Sequence, residues 1–215
     1  MKNNLLNEFG RVQFITQVTE KYSYVDTARI ALEGGCRWIQ LKIGNVSLDE
    51  VESVAIEVRQ LCKDYGSIFI IDGYVNLAKK LMADGVFLER RDISIREARQ
   101  FLGEKFIIGA SANNFYHVQQ HYIGGADYIA CSPYRYTANK QDLSPVLGVE
   151  GCMRIVQQME SRGIHLPVIV VGGITCDDVS NVLNTGVDGI AVSNAVLQSA
   201  NPVKEMNNFV KLVKP

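Results

Sequence analysis

The feature that most constrains this chain is a unit that recurs along it: a short apolar run, a turn, and an amphipathic helical pattern. Eight apolar runs are predicted strands, and they are almost continuously hydrophobic rather than alternating. Strands of that kind are covered on both faces, as in a parallel sheet flanked by helices. The predicted strands are residues 12–16, 38–42, 68–72, 85–88, 106–110, 128–131, 168–171 and 189–192.

The segments between these strands carry helix start signals. A serine or threonine followed three residues later by an acidic residue is a capping-box pattern, and an asparagine followed by proline also opens helices. The hydrophobic spacing after each signal is that of a helix with one buried face. The signals are Ser47 with Glu50, Ser94 with Glu97, Thr175 with Asp178, and Asn201 with Pro202.

Strict strand–helix alternation implies a parallel sheet, either open and doubly wound or closed into a barrel. Eight units within 215 residues fit a compact barrel better than an open sheet. The first strand is followed by Gln17-Val18-Thr19-Glu20 rather than by a glycine-rich dinucleotide fingerprint. We therefore predict an α/β fold in which residues 1–215 form a single (β/α)8 TIM barrel domain.

Composition excludes several classes of partner. The net charge of −1 gives no field that attracts nucleic acid or an anionic membrane. We find neither a signal-peptide pattern at the N-terminus nor an apolar run of membrane-spanning length. The five cysteines are odd in number and lack metal-ligand spacing, which favours reduced thiols and a cytoplasmic location. A homo-oligomer is compatible with the sequence.

In a barrel of this kind the functional residues follow the carboxyl ends of the strands. Gly172-Gly173 comes after the seventh strand, and Ser193-Asn194 comes after the eighth. Glycines allow close approach of backbone amides, and a short helix beginning near Ser193 directs its positive end inward. These two loops predict a phosphate site; the alternative is that the two glycines only form a tight turn.

The longest loop follows the sixth strand and spans residues 132–140. It contains Arg135 and Lys140, which are candidates to hold an anion, and a solvated surface loop is the alternative. At the end of the second strand, Gln40 and Lys42 alternate onto the same face and point into the barrel mouth. Lys42 is expected to meet an anion there or, alternatively, to pair with Asp72.

Two carboxylates, Asp72 and Asp92, follow the third and fourth strands and are candidate ligands for a hard divalent ion. Asp92 is alternatively a helix cap, because it lies two residues before Ser94. Ser111, just after the fifth strand, adds a hydroxyl donor. His117 and His121 have metal-ligand spacing, but they fall on a helix of the outer ring and are interpreted as solvated surface residues.

These segments together resemble the thiamine phosphate synthase family over nearly the whole chain. The order and spacing of the shared motifs carry the resemblance. The motifs are Ile39-Gln40-Leu41-Lys42, Ala83-Asp84-Gly85-Val86-Phe87-Leu88, Ile107-Ile108-Gly109-Ala110-Ser111, Gly125-Ala126-Asp127-Tyr128-Ile129, Val171-Gly172-Gly173-Ile174-Thr175, and the run GVDGIAV at 186–192.

The resemblance implies a magnesium-assisted reaction between two phosphorylated small molecules. A hydroxymethylpyrimidine diphosphate loses pyrophosphate, and a thiazole phosphate attacks the resulting cation to give thiamine phosphate. By position, the pyrimidine diphosphate is expected to contact Gln40, Lys42, Ser111 and Lys140, with Lys140, Lys42 and Ser111 as the catalytic set and Asp72 beside them. The thiazole phosphate is expected to contact Thr137, Asn139, Gly173, Ser193 and Asn194. Mg²⁺ is expected at Asp92, with Asp72.

The chain departs from the family pattern around the diphosphate site. Lys42 and Gly44 stand where the family has arginine and lysine, and Asp72-Gly73 stands where it has asparagine and aspartate. Glu89-Arg90 replaces Gly-Gln, Arg135-Tyr136 replaces an aromatic residue and proline, and Asn194 replaces serine. Two alternatives follow: a paralogue that binds a thiamine precursor or another phosphorylated metabolite, and a thiazole tautomerase-like isomerase. The latter uses a histidine where this chain has Ser132-Pro133.

Overall fold

Each of the eight predicted strands forms in the computed structural model, which describes residues 10–44, 46–136 and 144–214. The strands pair in parallel in sequence order, and the first pairs with the last, so the sheet is a closed barrel. The predicted α/β barrel is therefore confirmed. The strands are β1 (Val12–Ile15), β2 (Trp38–Leu41), β3 (Ile68–Asp72), β4 (Gly85–Leu88), β5 (Ile107–Ala112), β6 (Tyr128–Cys131), β7 (Val168–Val171) and β8 (Gly189–Val192).

Helices follow the strands and cover the outside of the barrel. They are α1 (Tyr24–Glu33), α2 (Leu48–Asp64), α3 (Val75–Leu81), α4 (Ile95–Leu102), α5 (Phe115–Gly124), α6 (Gly148–Ser161), α7 (Val179–Leu183), α8 (Asn194–Leu197) and α9 (Pro202–Leu212). Among the described helices, none is both long and apolar enough to cross a bilayer.

The predicted helix starts are confirmed with two refinements. Ser94 and Glu97 form a reciprocal capping box, whereas the cap of α2 consists of the Ser47 hydroxyl accepting a hydrogen bond from the Glu50 amide. Thr175 and Asp178 also form a capping box, but it opens a single 3₁₀ turn, Cys176–Asp178, that leads into α7. In α9 the buried face includes Met206 and Phe209.

The interior of the barrel is filled by large side chains from alternating positions of the strands. The rings of Trp38 and Tyr128 meet edge to face with centroids 4.9 Å apart, and Gln13 Nε2 donates to the Tyr128 hydroxyl at 3.0 Å. Gly109 makes this arrangement possible, because a Cβ there lies 2.1 Å from Tyr128 Cζ. The packed floor closes the barrel interior, and a cavity lies above it at the carboxyl ends of the strands.

We predict that Gly109→Ala destabilises the fold through overpacking. A Cβ 2.1 Å from the Tyr128 ring must displace a side chain that has no free space, which typically costs about 1–3 kcal/mol. Chemical denaturation measures the loss in the free energy of unfolding. Gly44→Ala is the matched control, because its added Cβ meets only the Tyr24 hydroxyl at 3.5 Å. Equal stabilities of the two variants would contradict the packing argument.

Candidate active site at the carboxyl end of the barrel

A cavity of about 500 Å³ opens at the carboxyl ends of the strands. Side chains at inward positions just beyond the packed floor form its wall, as the alternation of each strand requires. Six of the predicted site residues lie on this wall: Gln40, Lys42, Ser111, Gly173, Ser193 and Asn194. The wall also contains residues that were not predicted as site residues, among them Tyr24, Phe87, Glu89 and Ala195.

The predicted phosphate corner is formed by the β7 and β8 loops. Gly172 and Gly173 have φ values of 117° and 72°, so both occupy a backbone region that favours glycine. Ser193 caps the four-residue helix α8, and its Oγ is buried without a hydrogen-bond partner. A buried hydroxyl without a partner is costly, and a ligand oxygen in the adjacent cavity would supply one.

A second polar cluster surrounds Lys42. Its Nζ lies 3.1 Å from Glu89 Oε1 and 3.4 Å from Asp72 Oδ2. Gln40 Nε2 donates to the same Asp72 oxygen at 2.8 Å, while the buried Gln40 Oε1 has no partner. The alternative prediction that Lys42 pairs with Asp72 is thus confirmed, and Glu89 is an additional partner.

The charges in this cluster perturb one another. Burial raises the pKa of Asp72 to about 6, because burial disfavours the carboxylate more than the Lys42 ammonium favours it. Burial alone lowers the pKa of Lys42, but the carboxylates of Asp72 and Glu89 outweigh that effect and raise it above its usual value. Lys42 therefore stays charged and is the cation of this part of the wall.

Ser111 lies within β5 rather than after it, because the strand continues to Ala112. Its Oγ is 3.2 Å from Ser132 Oγ, within hydrogen-bond distance. The interpretation of His121 as a solvated surface residue is wrong: the side chain is half-buried, and its Nε2 donates to the Ser111 carbonyl at 3.0 Å. Burial lowers the pKa of His121, so a neutral imidazole holds the end of β5.

The two predicted metal ligands have different hydrogen-bond partners. Asp72 belongs to the Lys42 cluster, whereas Asp92 Oδ2 accepts from the Glu89 amide at 2.7 Å. Gly73 separates them, and a Cβ added there lies 3.5 Å from Asp92 Oδ1. Within the described ranges, no group of three or more His, Cys, Asp or Glu side chains is arranged to hold a metal ion. The oxygen donors suit Mg²⁺ chemically, but they are too few to enclose it without ligand oxygens.

The remaining predicted contacts, Thr137, Asn139 and Lys140, lie outside the described residues. The part of the β6–α6 loop that is described is anchored on both sides. Asn113 Nδ2 donates to the carbonyls of Ser132 and Pro145 at 2.9 and 2.8 Å. Arg135, predicted as an anion ligand, instead forms an ion pair with Asp178 at 2.6 Å.

The fold and the cavity define the chain as a (β/α)8-barrel enzyme. A family model for thiamine monophosphate synthase matches residues 12–196, and the chain belongs to this family. A thiamine-phosphate synthase of Phocaeicola vulgatus is 52% identical over 94% of this chain and 97% of its own length. One from Bacteroides fragilis is 50% identical over 94% and 98% of the two chains.

Solved structures agree with the family assignment. A thiamine phosphate pyrophosphorylase from Pyrococcus furiosus superposes with a TM-score of 0.85 at 33% identity, covering 99% of this chain and 96% of its own. A 3-hexulose-6-phosphate synthase superposes with a TM-score of 0.70 at 16% identity, covering 95% and 100% of the two chains. The second similarity shows a shared fold.

We predict that Ser193→Ala weakens phosphate binding without destabilising the protein. The Ser193 hydroxyl has no partner to lose in the free protein, whereas a hydrogen bond to a charged ligand contributes about 1.5–3 kcal/mol. Titration calorimetry with inorganic phosphate should show affinity lower by about tenfold or more. Ser67→Ala, which removes a bond to the Cys62 carbonyl before β3, should leave it unchanged. Equal phosphate affinity of Ser193→Ala and the parent would remove Ser193 from the site.

Proposed function

We propose that this enzyme is a transferase that joins a hydroxymethylpyrimidine diphosphate to a thiazole phosphate, forming thiamine phosphate and pyrophosphate. The observation that carries the proposal is one cavity whose wall combines two separate polar clusters: Ser193 with the glycine turn, and Gln40 with Lys42. Each cluster contains a buried oxygen without a partner. The volume of about 500 Å³ suits small-molecule ligands.

In this proposal, the β7 and β8 loops hold the thiazole phosphate. Gly173 allows the phosphate to approach backbone amides, while Ser193 and Asn194 supply side-chain donors. Thr137 and Asn139 are the further contacts expected from the family. Fixing the phosphate aims the thiazole nitrogen at the pyrimidine methylene, so binding energy is converted into orientation.

The second cluster receives the pyrimidine diphosphate through Gln40, Lys42, Ser111 and Lys140. The bond between the methylene carbon and the diphosphate oxygen breaks, and pyrophosphate leaves with the electron pair. The thiazole nitrogen then donates its lone pair to the methylene carbon and forms the new carbon–nitrogen bond. The protein contributes by positioning the partners and by neutralising charge that grows on the leaving group.

The negative charge of the leaving pyrophosphate is difficult for this chain to neutralise. Lys42 is flanked by the carboxylates of Asp72 and Glu89, so the wall around it is net negative before a diphosphate arrives. Asp92 and Asp72 provide hard oxygen donors for Mg²⁺, which would supply additional positive charge to the leaving pyrophosphate. Because the protein donors are few, we propose that the metal is held jointly by Asp92, Asp72 and diphosphate oxygens.

Two further observations favour this function over the alternatives. Ser132 and Pro133 line the cavity where a tautomerase-like enzyme requires a histidine. A binding paralogue does not require the paired clusters, whereas a two-substrate condensation does.

We predict that Lys42→Met lowers kcat more than it raises KM for the pyrimidine diphosphate. The charge that Lys42 neutralises grows as the carbon–oxygen bond breaks, so its loss affects the transition state most. A decrease of about 10²–10³-fold in kcat is expected for one such contact. Steady-state assays of thiamine phosphate formation measure it, with Lys80→Met on the outer surface as the control. Near-parent turnover of Lys42→Met would contradict the role assigned to Lys42.

The metal proposal predicts weak Mg²⁺ binding to the substrate-free protein and tighter binding after Gly73→Asp. Residue 73 adjoins Asp92 and has φ of 76°, a conformation that aspartate tolerates better than most residues. A third carboxylate there should extend the ligand set and raise Mg²⁺ affinity in calorimetry. Gly73→Asn, which has the same shape without the charge, is the control. Tight parent binding that Asp92→Asn leaves unchanged would place the metal elsewhere.

A further inference from the structure

The turn that carries Gly172 and Gly173 has no side chains of its own to fix its shape. Its backbone is held by the neighbouring β6 loop, because Tyr134 N donates to the Val171 carbonyl at 2.8 Å and Arg135 N to the Gly172 carbonyl at 3.1 Å. The two loops are in close contact, since a Cβ on Gly172 lies only 3.0 Å from Tyr134 N. The position of the start of the turn therefore depends on the position of the β6 loop.

The Arg135 side chain reaches the other end of the same turn. Its Nη2 donates to Asp178 Oδ1 at 2.6 Å, and the guanidinium lies over the Tyr134 ring at 5.3 Å from the centroid. The other oxygen of Asp178 accepts from the Thr175 amide and hydroxyl at 2.8 and 2.7 Å. Asp178 thus links Arg135 to the 3₁₀ turn that follows the glycines.

Arg135 consequently holds the segment 172–178 at both ends, by its amide at Gly172 and by its guanidinium at Asp178. We propose that Arg135 is a positioning residue that acts through Asp178 to keep the Gly172–Gly173 turn in the shape that accepts a phosphate group. The inference rests on the proposed function, because that phosphate is the one assigned to the thiazole substrate. Under this proposal Arg135 and Asp178, which are 43 residues apart in the chain, act together.

If Arg135 binds the substrate phosphate directly, the expected effect of the Asp178 substitution on phosphate binding has the opposite sign. If the guanidinium binds the substrate phosphate itself, Asp178 competes for it, and removing the Asp178 charge strengthens binding. If Arg135 instead positions the turn, loss of either partner weakens binding, and the two losses are not additive because they break one interaction. The sign of the Asp178 effect therefore separates the two roles.

The test is calorimetric binding of thiazole phosphate and of inorganic phosphate to Arg135→Leu, Asp178→Asn and the double variant. Asp178→Asn retains an oxygen that can accept from Thr175, so it removes mainly the ion pair. We expect each single variant to bind both ligands about 5- to 20-fold more weakly, and the double variant no more weakly than either single one. Arg135→Lys should recover part of the loss. Turnover should show a raised KM for the thiazole phosphate with kcat and the KM for the pyrimidine diphosphate close to parent values.

Lys80→Leu is the matched control, because it breaks a surface ion pair with Glu52 far from the turn and should not change phosphate binding. Tighter or unchanged binding in Asp178→Asn, or additive losses in the double variant, would overturn the inference. So would a parent protein that binds neither probe. If the parent binds both probes but forms no thiamine phosphate, the synthase proposal fails, and the binding data still decide the role of Arg135.

Discussion

The structure depends on how the interior of the barrel is filled. Trp38 and Tyr128 meet across the barrel at 4.9 Å between centroids, and Gly109 provides the space that the Tyr128 ring occupies. This packing closes the lower part of the barrel, where the buried Gln13 side chain donates to the Tyr128 hydroxyl, and the polar residues that face the cavity lie at the carboxyl end. The floor thereby places Gln40, Ser111 and Ser193 around a single cavity, and the catalytic proposal is a consequence of that placement.

Above this floor the site is net negative around Lys42 rather than positive. Lys42 stays charged because Asp72 and Glu89 surround it, yet the same carboxylates reduce its attraction for an anion. Two buried oxygens, Gln40 Oε1 and Ser193 Oγ, remain without partners, and each adjoins the cavity. A ligand fits this site if it brings an acceptor oxygen for the Ser193 hydroxyl, a donor for Gln40 Oε1 and a compensating cation.

Most of the fold and part of the site could be predicted from the sequence. The eight strands followed from continuous apolar runs, and the Lys42–Asp72 pair followed from alternation along neighbouring strands. Glu89 was predictable by the same rule, because it lies two residues beyond the inward Phe87, but the sequence marked it only as a departure from the family pattern. The Arg135–Asp178 pair and the His121 bond to Ser111 depend on loop paths and helix rotation, which local sequence patterns do not encode.

The central claim is that one cavity brings two phosphorylated substrates together for a single displacement. The most direct test is to incubate the purified protein with Mg²⁺ and both substrates, and to follow pyrophosphate and thiamine phosphate together. The account predicts equal amounts of the two products, and no pyrophosphate beyond background when the thiazole phosphate is omitted. No product with both substrates present, or rapid pyrophosphate release without thiazole phosphate, would contradict it.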